Sequence, residues 1–156
     1  MKLYITKGSG TGLTELAAFD SAVLEAEVGN QNLIYLSSVI PPDSTIVHEA
    51  MPLKDSDFGS RLYCVLSEQR TSIVGEEAWA GIGWVQEVST GRGVFIEHHG
   101  HSEVEVVGDI NSSLETMMNS RPEIEWGEIG MCVEGSRCID KPTCSLVVAT
   151  FKVVAW

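Results

Sequence analysis

Two runs of strand-forming residues, AWAGIGWVQEV (Ala78–Val88) and GVFIEHHG (Gly93–Gly100), stand on either side of the short link STGRG. Extended apolar runs separated by a few glycine-containing residues close most simply as an antiparallel hairpin. The pattern recurs along the chain. Lys2–Thr6, NLIYLSS (Asn32–Ser38), STIVHEA (Ser44–Ala50), Arg61–Gln69, EIGMCVEG (Glu128–Gly135) and CSLVVATFKVVAW (Cys144–Trp156) all read as strands. In the last of these, Val147, Ala149, Phe151 and Val153 alternate onto one apolar face. Two segments carry helical spacing instead. Thr14–Ala26 presents Leu16, Phe19 and Val23, widened by Ala17 and Leu24, and Gly29-Asn30 supplies its stop. Glu103–Asn119 presents Val104, Val107, Leu114 and Met118. Six to eight strands in runs, with two helices, predict an α+β chain of largely antiparallel sheets, each helix covering one face.

The 156 residues suit one domain with a real core, and 44% of them are hydrophobic. No linker, repeat or low-complexity tract divides the chain. A net charge of −12 argues against nucleic acid and anionic membrane as partners. No apolar run approaches the ~20 residues of a membrane span. The start, MKLYITKGSG, lacks the apolar core and small-residue cleavage site of a secretory signal, so a cytoplasmic protein is expected. Cys64, Cys132, Cys138 and Cys144 form no C-x-x-C pair and fit no common zinc spacing. They read as buried thiols, with a Cys132–Cys138 disulfide as the alternative.

Four features invite a functional reading, each beside a plainer one. GSGTG (Gly8–Gly12) falls between a strand and a helix, where phosphate loops sit, but lacks the P-loop Lys-Ser/Thr and the G-x-G-x-x-G spacing. It reads as a flexible turn. EHHGH holds His98, His99 and His101. Along a strand His99 and His101 share a face that His98 does not, so solvated histidines are the ordinary reading and a zinc or copper site the alternative. Asp20 lies one helical turn from Leu16 and from Leu24, at the edge of an apolar stripe. It is either a wet boundary acid or a carboxylate placed to meet a cationic ligand. Glu97 shares its alternation with Phe95. It is either an edge-strand acid facing water or a carboxyl on an apolar face, the setting of a general acid.

The stretch AAFDSAVLEAEVGNQNLIYLSSVIPP (Ala17–Pro42) decides among these. Phe19, Asp20, Ala22, Leu24, Ala26, Gly29, Asn30, Asn32, Leu33, Ser37, Ser38, Pro41 and Pro42 resemble the signature region of the pyruvoyl-dependent arginine decarboxylases. Downstream, GVFIEHHG resembles that family's G-hydrophobic-hydrophobic-hydrophobic-E-aromatic-x-G. The likeness runs over nearly the whole chain and is strongest from Ala17 to Pro42. His98 stands where the family has an aromatic residue, and Glu27 where it has glycine.

The resemblance implies a sandwich of sheets with helices outside (αββα-like). It implies a homotrimer with active sites at the subunit boundaries. It also implies self-cleavage at Ser37-Ser38 into residues 1–37 and 38–156, with a covalent pyruvoyl group derived from Ser38. In the family that group forms a Schiff base with the α-amine of L-arginine and serves as electron sink for loss of CO₂, giving agmatine. By the same match Asn32 assists cleavage as an oxyanion donor, Glu97 returns a proton to Cα, and Asp20 receives the guanidinium. No metal is implied. The same chemistry on histidine or lysine, and an unprocessed, non-catalytic relative, remain as alternative readings.

Overall fold

The structure, a computed structural model describing residues 1–156, has four layers: helix, sheet, sheet, helix. In chain order the elements are β1 (Lys2–Thr11), α1 (Glu15–Glu25), β2 (Asn32–Tyr35), β3 (Val39–Ile40), β4 (Thr45–Val47), β5 (Arg61–Thr71), β6 (Glu77–Gln86), β7 (Gly93–Gly100), α2 (Glu103–Asn119), β8 (Gly130–Arg137) and β9 (Thr143–Val154). Five strands make sheet A in the order β2-β5-β9-β1-β4, and four make sheet B in the order β3-β7-β6-β8. Only the edge pairings β1–β4 and β2–β5 are parallel. The α+β sandwich with mostly antiparallel sheets and outer helices is thus present, and β6 and β7 form the expected hairpin.

The sheets face each other across Leu3, Ile5, Ile40, Val65, Ile82, Phe95, Val147 and Ala149. Burial of such side chains contributes about 1.5–3 kcal/mol each. Alpha1 covers the outer face of sheet A, and α2 that of sheet B. Both helices start at side-chain caps: Thr14 accepts from the Ala17 N–H at 3.1 Å and Ser102 from the Glu105 N–H at 3.2 Å.

Each helix buries only part of the stripe its sequence suggests: Val23 and Leu114 are buried and Phe19 and Met118 pack on the core, but other members are not. Alpha1 packs on Ala18, Ala22 and Val23, while Leu16 and Leu24 are 67% and 50% exposed. The cause lies in the GSGTG stretch, which is not a loop: β1 runs through it to Thr11. A Cβ on Gly8 would stand 2.3 Å from Ala22 O, and one on Gly10 2.6 Å from Ala22 N. The helix therefore lies so close to the strand that only alanine-sized residues fit between them. Alpha2 repeats the device. It buries Val106, Ile110 and Leu114 and leaves Val104 84% exposed. Ile110 sits over Gly83 of β6, where a Cβ would come within 2.2 Å of its Cγ2.

Beta9 also departs from simple alternation. A bulge opposite Tyr63/Cys64 shifts its register. Val147, Ala149 and Phe151 face sheet B as expected, but Val153 packs with the α1-side core.

Candidate functional site

The Ser37-Ser38 linkage is where the chain crosses from one sheet to the other. Beta2 ends at Tyr35 on the edge of sheet A, and β3 begins at Val39 on the edge of sheet B. The Leu36 N–H donates to Cys64 O of β5 at 2.9 Å. On the far side, the Phe95 N–H of β7 donates to Ser38 O at 2.8 Å. The two ends of the linkage are thus pinned to different sheets.

Ser38 has φ +64°, in the left-handed region. For a residue with a Cβ this costs on the order of 1 kcal/mol or more, and it persists only where the surroundings enforce it. Here the two pinning bonds flank it. Ser38 Oγ donates to the Glu97 carboxylate. Glu97 is half-buried on β7 and shares its face with buried Phe95, as its alternation predicts. Its carboxylate has no other hydrogen bond, and no cation pairs with it among the described residues.

Asn32 and Asp20 stand elsewhere in the same chain. The Asn32 amide donates to Gly59 O at 2.5 Å. A strand advances ~3.3 Å per residue, and β2 separates Asn32 from the linkage. Asp20 is on the exposed side of α1, between Leu16 and Leu24, with no ion pair or hydrogen bond within the chain. Ser38 and Glu97 therefore meet within one chain, and Asn32 and Asp20 do not join them there.

The three clustered histidines turn to separate partners. His98 Nε2 meets Ser113 Oγ of α2 at 2.8 Å. His99 Nδ1 meets Gln69 Oε1 of β5 at 2.6 Å, and His101 Nδ1 meets Glu77 O at 2.9 Å. All four cysteines are free thiols, and three are buried. Burial pushes Cys64 and Cys144 up to about 12, and also raises Cys132.

One residue beside the site carries no sequence signal. Ser67, in the apolar run YCVLSEQ, is buried between the sheets, and its hydroxyl donates to His98 O at 2.7 Å. A serine on one face of an apolar strand looks like any surface serine until the opposing sheet is known.

Comparison with known sequences bears directly on the serine pair. The sequence profile described as pyruvoyl-dependent arginine decarboxylase (PvlArgDC) matches residues 2–154. The chain belongs to the pyruvoyl-dependent arginine decarboxylase family. It is 31% identical over 136 residues to a pyruvoyl-dependent arginine decarboxylase of Methanococcoides burtonii, covering 81% of this chain and 76% of that protein. It is 30% identical over 107 residues to pyruvoyl-dependent arginine decarboxylase 2 of Methanosarcina acetivorans, covering 68% of this chain and 58% of that protein. A shorter match reaches 45% identity over 67 residues with the pyruvoyl-dependent arginine decarboxylase of Methanothermobacter thermautotrophicus, 43% of this chain and 42% of that protein. Members of the family are decarboxylases with a covalent pyruvoyl group. The surroundings of Ser38 fit a precursor of that group, since the residue is strained, doubly pinned and hydrogen-bonded through Oγ to a half-buried carboxylate. No helix of the chain is long and apolar enough to cross a membrane.

Proposed function

We propose that this chain cuts itself between Ser37 and Ser38 and then decarboxylates L-arginine to agmatine and CO₂. The observation that carries the reading is the left-handed Ser38, held between two sheets with its Oγ on Glu97. The names of the relatives support arginine as the substrate.

In the self-cleavage, Ser38 Oγ attacks the carbonyl carbon of Ser37. The C–N bond of the linkage breaks, and the acyl group passes to oxygen as an ester while the nitrogen takes up a proton. Loss of the Ser38 Hα expels the ester oxygen, which leaves with the Ser37 acyl group as a carboxylate and makes residue 38 dehydroalanine. Its enamine becomes an imine, and water then replaces nitrogen, releasing ammonia and leaving the pyruvoyl cap. Glu97 orients the attacking hydroxyl by accepting its hydrogen bond. The tetrahedral oxyanion needs a donor. Asn32 is assigned that role towards the linkage of a neighbouring subunit, because its own linkage lies beyond its reach. Residues 1–37 and 38–156 stay together as one folded unit, since β2 remains in sheet A and β3 in sheet B.

In the decarboxylation, the pyruvoyl group supplies an electron sink for the electrons of the bond to CO₂. The chain's own residues do the rest. Glu97 delivers a proton to the substrate Cα, from the position where it met Ser38 Oγ. Cleavage has by then consumed the hydroxyl that was its only hydrogen-bond partner. Asp20 of an adjoining subunit receives the guanidinium. It stands unpaired on an exposed helix face beside Leu16 and Leu24, the arrangement of a carboxylate that meets its cation at a boundary. A homotrimer in the cytoplasm completes this reading.

Mass measurement on denatured protein tests it. Two fragments divided at Ser37-Ser38, the larger with a blocked N-terminus, are expected. Borohydride with arginine should attach substrate to the larger fragment. An intact 16.9 kDa chain overturns the reading.

A further inference from the structure

Because the Ser37-Ser38 linkage joins the two sheets, its geometry depends on how far apart they lie. Its N-terminal side is fixed to β5 through Leu36 and Cys64, and its C-terminal side to β7 through Ser38 and Phe95. A change in the β5–β7 spacing therefore falls on the strained Ser38 and on the approach of Oγ to the Ser37 carbonyl. Beside the linkage the sheets touch through Val65, Ile40 and Phe95. Apolar contacts of this kind are non-directional and do not fix a spacing sharply.

Further along the same two strands the contact becomes polar. Ser67 is 3% exposed and faces sheet B. Its hydroxyl donates to the backbone carbonyl of His98 at 2.7 Å, directly after Glu97. A buried hydrogen bond to a strand backbone is directional and short-ranged, so it sets a distance where the apolar contacts do not. The other side-chain tie between β5 and β7, Gln69 to His99, is exposed.

We propose that Ser67 is a positioning residue for self-cleavage. It holds β7, whose Phe95 N–H pins the Ser38 carbonyl, at the separation from β5 that keeps Ser38 in its left-handed conformation. The inference rests on cleavage at Ser37-Ser38. It assigns Ser67 no contact with the reacting atoms. Once the linkage is cut, the covalent bridge no longer transmits the spacing, so the role belongs to processing and not to turnover.

The test follows the cleaved fraction of full-length chain with time by mass, beginning as the chain is synthesised. Turnover of arginine per cleaved chain and the melting temperature are measured alongside. Ser67→Ala is expected to slow cleavage about tenfold, the effect of losing one buried hydrogen bond. Its kcat per cleaved chain should stay within about twofold of the parent. Ser67→Cys keeps the volume and weakens the donor, and should slow cleavage to an intermediate degree even if the alanine variant folds poorly. Ser145→Ala is the control. Ser145 is also buried between the sheets, and its hydroxyl bonds Ser136 Oγ of β8 at 2.7 Å, away from the linkage. It should lower the melting temperature comparably and leave the cleavage rate unchanged. Parental cleavage rates in both Ser67 variants, or equal slowing by Ser145→Ala, overturn the role of Ser67. A parent chain that stays whole overturns the self-cleavage reading itself.

Discussion

The hydroxyl of Ser38 and the carboxylate of Glu97 are hydrogen-bonded although 59 residues separate them in the chain. The short β3–β7 pairing, Val39 opposite Val94, brings them together. One carboxyl group can therefore serve both reactions, first against the serine hydroxyl and then against the substrate carbon. Ser38→Ala removes the nucleophile, so the chain should remain whole and inactive. Glu97→Gln keeps an amide oxygen able to accept from Ser38 and should still be cleaved. Its decarboxylation should fall by about 10²–10⁴, the usual contribution of a positioned proton donor. Parental CO₂ release from cleaved Glu97→Gln would remove Glu97 from that role.

Asp20 lies outside the Ser38–Glu97 pair within one chain, which separates its effect from theirs. Asp20→Ala should be cleaved at the parental rate. Its KM for arginine should rise roughly 10- to 100-fold, the loss expected for a charge-assisted contact. Normal arginine affinity in this variant would mean that another group receives the guanidinium.

The position of Asn32 makes a subunit-exchange experiment informative. Asn32→Ala alone should be cleaved slowly. Mixed with Ser38→Ala chains under conditions that exchange subunits, an Asn32→Ala chain gains an intact asparagine from its neighbour while keeping its own serine. Cleavage of the Asn32→Ala chains, told apart by mass, should then recover. If mixing gives no recovery, Asn32 acts within its own chain.

The close packing of β1 on α1 yields a stability prediction. A methyl on Gly10 would meet Ala22 N at 2.6 Å and Ala18 O at 2.8 Å, both backbone atoms that cannot rotate away. Gly10→Ala should cost about 1–3 kcal/mol through displacement of the helix. Urea unfolding of the Ser38→Ala chain, which is uniform in covalent structure, measures it.

The layered fold was legible because strand alternation and turn residues are local signals. The bounds of α2 were read as they stand, Glu103–Asn119. The helix faces are legible only in part: Val23 and Leu114 are buried where spacing places them, but the largest apolar residues of each stripe are not all core. Leu16, Leu24 and Val104 face outward, since glycines on partner strands bring the helices too close for side chains of that size. That choice is made in β1 and β6, not in the helices. The face of Val153 is hidden from simple alternation for a similar reason: it depends on a bulge in the pairing with β5. At the site, the alternation of Glu97 with Phe95 was visible, and the serine pair stood out through its resemblance to a family. The tie from Ser67 to His98 was invisible because it needs two sheets in place.

The buried thiols give a pH dependence whose sign can be worked out. Burial raises Cys64 and Cys144 from 9.0 to about 12, because the folded interior disfavours the thiolate. A group raised in the folded state contributes its full stabilisation below its unfolded value and loses it as pH rises from there towards the folded one. These two thiols should therefore leave stability unchanged below about pH 8. Between 9 and 12 the unfolded chain ionises them while the folded chain does not, and the urea midpoint should fall. Cys64→Ala should be less stable at every pH, through the cavity it leaves. Its decline above pH 9 should nevertheless be shallower than the parent's, because one of the two groups has gone. A thiol reagent at about pH 8 should modify neither residue until the chain unfolds. Rapid labelling of Cys64 in the folded protein, or an alkaline slope unaltered by its removal, would show that the α1-side core admits solvent.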